Sequence, residues 1–112
     1  MARARMTYRY GDTLMKGALQ ALTLESPRQR AEVLYQVETS DQPGPYASEK
    51  TTVIVIIRSR KGEPVGVVRT VMRGRATLRY LHGHLYATLR EAGFTALAQA
   101  AKNLIKEELT PA

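Results

Sequence analysis

The chain has 112 residues, 44% of them hydrophobic, with no cysteine, no tryptophan and a formal net charge of +7. That length holds one domain with one modest core, and the missing cysteines exclude a disulfide framework and any thiolate metal site. The longest apolar run, Val53 to Ile57, falls far short of the ~20 residues of a membrane span.

The start, MARARMTYRY, carries three arginines but no apolar stretch behind them, so it does not read as a secretory signal. Residues 1–5 read as a basic N-terminal arm, followed by a single domain over 6–112. Met6 to Tyr10 has the alternation of a short strand. Asp12 is placed to cap a helix from Thr13 to about Leu24, because Leu14, Met15, Ala18, Ala21 and Leu22 recur at spacings of three and four. Gly17 weakens that helix.

From Ser26 to Val37 two patterns compete. Ser26, Pro27 and Gln29 form a capping box with proline at the first helical position. Ala31, Val33, Tyr35 and Val37 alternate with polar positions as a strand does. We read at most one helical turn near Pro27, then a strand from about Ala31 to Thr39. Residues 40–49, SDQPGPYASE, form a loop, since two prolines and a glycine bar both helix and ladder. Thr51 to Arg58 is a strand apolar on both sides. A tight turn at Gly62 leads into a partner strand from Pro64 to Met72.

The segment Arg75 to Ala92 again admits two pictures. Leu78, Leu81, Leu85 and Leu89 make a helical stripe that Gly93 ends, whereas LRYLHGHLYATL has the near-mirror form of a hairpin turning at Gly83. The helix is the preferred reading. Phe94 reads as a core plug, and Thr95 opens a last helix to about Leu109 with Leu97, Ala98, Ala101, Leu104 and Ile105 inward. The expected fold is α+β: one antiparallel sheet of three or four strands packed against two or three helices, chiefly those opening at Thr13 and Thr95.

The charge is concentrated. Between residues 50 and 79 stand Lys50, Arg58, Arg60, Lys61, Arg69, Arg73, Arg75 and Arg79 against a single acid, Glu63. This stretch holds the whole +7, and the remainder balances with nine bases and nine acids. A basic element on a neutral body is the footprint of a polyanion partner. Arginine suits phosphate because its planar fork donates in pairs and stays charged. The plainer alternative is that these arginines solvate a sheet face or blunt an edge.

The stretch AEVLYQVETSDQPGPYASEKTTVIVIIRSRKGEPVGVVR, with the helix TALAQAAKNLIKEEL, resembles a double-stranded RNA-binding domain over about two-thirds of the chain. Gly44-Pro45 looks like that family's minor-groove loop, and the resemblance implies a helix-first order and RNA binding. Two departures set the chain apart: the last helix opens Thr95, Ala96, Leu97, Ala98 rather than with lysines, and Arg75 to Phe94 is extra.

His82 and His84 share a metal only on a strand, because on a helix they point about 200° apart. Tyr8, Tyr10, Tyr35, Tyr46, Tyr80 and Tyr86 offer rings for base stacking or simply half-buried rings with bonded hydroxyls. The bonded role is preferred for Tyr35. No nucleophile-and-base pair is visible, so no enzyme, cofactor or metal is expected.

The function expected is non-catalytic nucleic-acid binding, to DNA or RNA with little sequence preference, by Arg58, Arg60, Lys61, Arg69, Arg73, Arg75 and Arg79. The alternative is a protein-interaction or homo-oligomerising module for an acidic partner. The surplus of apolar positions also predicts a dimer. The lack of cysteine suits a reducing, cytoplasmic setting, without a membrane.

Overall fold

A computed structural model of the chain describes residues 3–5, 13–39 and 49–109, with side chains over 13–39 and 49–103. Five strands precede two helices: β1 (Arg3–Arg5), β2 (Leu19–Glu25), β3 (Gln29–Thr39), β4 (Glu49–Ser59), β5 (Pro64–Arg73), α1 (Leu78–Glu91) and α2 (Thr95–Leu109). The strands lie in chain order in one antiparallel sheet. The expected α+β fold is therefore present, with four long strands and the three-residue β1 added at one edge.

One face of the sheet builds the core. Along β3 and β4, Ala31, Val33, Tyr35, Val37, Val53, Val55 and Ile57 are fully buried, and the residues between them are half-buried. Leu78, Leu81, Leu85 and Leu89 of α1 and Leu97, Ala98, Ala100 and Ala101 of α2 close over that face. Each buried valine, leucine or isoleucine among them contributes about 1.5–3 kcal/mol, and each alanine methyl about 0.8 kcal/mol. Among the described residues, no helix packs on the opposite sheet face. β4 is thus less covered than its apolar sequence suggests, and Ile54 and Ile56 stay partly accessible.

The helix expected from Thr13 to Leu24 does not form. Leu19–Glu25 is a strand paired with β3, Leu22 opposite Val33 and Leu24 opposite Ala31. A two-residue turn at Pro27 and Arg28 enforces this register: Ser26 N–H donates to Gln29 O at 2.9 Å, and Gln29 N–H to Ser26 Oγ at 3.2 Å. The residues that mimic a capping box are a hairpin turn, so no helical turn precedes β3. Leu22 and Leu24 bury with period two, while Met15 is left 56% exposed. Gly17 takes φ 84°, a conformation a helix cannot hold. The segment before it crosses the sheet end, with Leu14 N–H bonded to Ala76 O and Gly17 N–H to Val37 O.

The helical picture of residues 78–91 holds, with the Thr77 side chain accepting from Tyr80 N–H at the cap. Phe94 packs against the core as expected. The order is strands first and helices last, so the resemblance to a double-stranded RNA-binding domain does not extend to topology. Met6 to Tyr10, Asp12 and residues 40–48 lie outside the described residues. Among those described, no helix is long and apolar enough to cross a membrane.

Candidate nucleic-acid interface

Three of the sequence-predicted arginines meet where β5 hands over to α1. Arg73 ends β5, Arg75 lies in the connection, and Arg79 sits in the first turn of α1 beside Tyr80, which is 52% exposed. With Met72 and His84 they line an open groove of about 650 Å³. A smaller hollow of about 280 Å³ shares Arg75, Arg79 and Tyr80 and extends towards Thr13. The α1 N-terminus bears no acidic residue in its first turn, so its partial positive charge adds to that of the arginines.

Glu49 holds this corner in place. It is only 5% exposed, and its carboxylate accepts from Ala76 N–H at 2.8 Å and pairs with Lys16 Nζ at 2.9 Å. Its own carbonyl accepts from Gly74 N–H at 3.0 Å. Both ends of the connection carrying Arg75 are thereby fixed to the start of β4. Burial pushes the Glu49 carboxyl up. The hydrogen bonds from Lys16 and Ala76, with the charges of Lys16 and Arg75, outweigh burial and leave it below its ordinary value. Farther along, Thr70 Oγ1 and His84 Nε2 lie 2.8 Å apart and tie β5 to α1.

The other predicted residues lie elsewhere. Arg58, Arg60 and Lys61 gather at the β4–β5 turn, about 30 Å along β5 from the groove. Two of them meet carboxylates: Arg58 Nε lies 2.8 Å from Glu32 Oε1, and Arg60 Nη1 lies 3.8 Å from Glu25 Oε2. Arg58 also donates to Gly62 O at 3.2 Å, and Lys61 is exposed. Arg69 stands on the uncovered sheet face, opposite Ile54. The seven residues are therefore three groups rather than one track.

Among the tyrosines, Tyr35 is fully buried with its hydroxyl 3.4 Å from Gln20 Oε1, the bonded role expected for it. Tyr86 sits under Arg90 and Lys102, 5.9 and 5.6 Å from its ring centre. Tyr80 alone among the described tyrosines joins the arginines. His82 is fully buried in α1 while His84 faces the groove, so the two point to opposite sides of the helix. No group of three metal-ligating side chains occurs among the described residues.

Sequence reasoning missed Glu49, Lys16 and Thr70, because only the fold brings them to this corner. Comparison with known proteins finds no family model, no curated protein and no solved structure that matches the chain.

Proposed function

We propose that the chain is a non-catalytic nucleic-acid-binding protein whose groove between β5 and α1 takes a single strand. Arg73, Arg75 and Arg79 grip successive phosphates, and Tyr80 stacks on an unpaired base. The observation that carries this reading is the convergence of three arginines and an exposed ring on one groove at a helix N-terminus. A ring beside phosphate-binding cations favours unstacked bases over a duplex, because every base offers a π-face only when freed from its stack. No base-reading pattern accompanies them, so sequence preference is low. A cytoplasmic location belongs to the same proposal.

Titration of single-stranded and duplex DNA and RNA across a salt series tests it. Single strands should bind most tightly, with affinity falling as salt rises. Replacing Arg73 and Arg79 together by alanine should lower the slope of log affinity against log salt by about 1.4. The matched comparison replaces Arg58, Arg60 and Lys61. If that triple variant loses the slope and the groove variant keeps it, the site lies at the hairpin turn. Equal binding of duplex and single strand would refute the stacking role of Tyr80.

A further inference from the structure

Gly83 sits in the middle of α1 without a reason internal to the fold. Glycine weakens a helix interior relative to alanine, so its place there calls for a cause. Backbone conformation supplies none, since positive φ occurs at Gly17, Gly62, Gly74 and Gly93 and not at Gly83. Packing supplies none either, because a Cβ at Gly83 would have nothing within 4 Å. Gly66 shows the contrast: a Cβ there would meet the Phe94 ring at 3.4 Å.

What Gly83 does border is the arginine groove. Tyr80, Gly83 and His84 belong to its α1 wall, and the three arginines line it with them. Positions 80, 83 and 84 lie three and four apart, on one helix face. Gly83 therefore leaves a gap in that wall beside the exposed Tyr80. His84 bounds the gap with a ring held in place, its Nε2 2.8 Å from Thr70 Oγ1. Among the described residues no carboxylate lines the groove, so the space around the gap favours a ligand that carries negative charge.

From this we infer that Gly83 is the seat of a nucleobase: a base stacked on Tyr80 lies against the bare α1 backbone at Gly83, with His84 along its edge, while the phosphates of the strand stay on the arginines. The inference rests on the nucleic-acid reading of the groove and names the part of the strand that enters it. Non-bonded carbons keep about 3.5–4.0 Å apart, so any side chain at position 83 would hold a planar ring off the helix by the width of its own atoms. Glycine is the residue that lets a ligand approach backbone closely. A duplex offers no base to such a seat, because its bases are paired and stacked.

Fluorescence anisotropy with the full chain tests this, using a labelled oligothymidine of about ten nucleotides and a strand of the same length that lacks every base. The parent should prefer oligothymidine by about fivefold or more, the equivalent of one stacked base. Gly83→Leu meets open space and adds a good helix former, so circular dichroism should show it folded and at least as heat-stable as the parent. It should bind the abasic strand as the parent does, and oligothymidine no better than the abasic strand. Gly83→Ala should fall between the two in binding while melting about 3–5 °C above the parent. Equal affinity of the parent and Gly83→Leu for oligothymidine would overturn the seat and leave the nucleic-acid reading standing, as would a parent that binds both strands equally. A loss shared by both strands would overturn it too, because the leucine would then be blocking phosphates rather than a base. If the parent binds neither strand at low salt, the nucleic-acid reading falls and the seat with it.

Discussion

His82 makes the fold acid-sensitive in a defined window. Its imidazole is fully buried on α1 among Leu78, Leu81 and Leu85, and burial lowers its pKa from 6.5 to about 4. The unfolded chain takes up a proton near pH 6.5 that the folded chain refuses until about pH 4. Lowering the pH therefore favours unfolding. The contribution is intact above pH 6.5 and is lost progressively between the two values. The full difference is about 3 kcal/mol, against a typical domain stability of about 5–15 kcal/mol. Urea melts at pH 7.5, 6.5, 5.5 and 4.5 would read it directly. Stability should fall by about 1.4 kcal/mol per pH unit once below the unfolded pKa. The His82→Leu variant, apolar and a good helix former, should lose this slope while keeping a two-state transition. A variant as steep as the parent between pH 6.5 and 5 would show that the acid sensitivity comes from other groups.

Other outcomes follow from single contacts. The hydroxyl of Thr51 is buried with no hydrogen-bond partner among the described residues, so Thr51→Val should stabilise the chain by about 1 kcal/mol in chemical denaturation; a loss of stability would show that the hydroxyl is bonded. Glu49→Ala strands the buried Ala76 N–H and should cost about 2–3 kcal/mol. Because the Glu49 carboxyl is held below its ordinary value of 4.5, its contribution is present above that pH and lost as pH falls further, so the variant should flatten acid unfolding below pH 4.5 and not above it. Arg58→Ala breaks a partly exposed pair with Glu32 and should change stability by less than about 1 kcal/mol. Tyr80→Ala should weaken single-strand binding by about 1–3 kcal/mol and leave thermal stability unchanged.

Much of the fold was legible in local pattern. Residues 51–58 form the strand their β-branched run requires, and the stripe Leu78, Leu81, Leu85, Leu89 is the buried side of α1. For these elements short-range information suffices to give the type, while which side of the doubly apolar β4 is wholly buried is set by the helices packed on one face. Residues 13–24 misled because their apolar spacing fits a helix and a strand alike. Pairing with β3 through the Pro27–Arg28 turn decided between them, and that contact is invisible to a local window. The charge told the same story at the level of the site. Composition alone located the +7 within residues 50–79, and with it every arginine of the groove. Which of them lie together was decided only by the fold: the connection at Gly74 brings Arg79 and Arg73 to one groove, while ten residues of β5 carry the hairpin turn away and carboxylates from β2 and β3 meet Arg60 and Arg58. Charge is additive along a sequence. Field strength depends on distance and on neighbours from other strands, and the tertiary structure sets both.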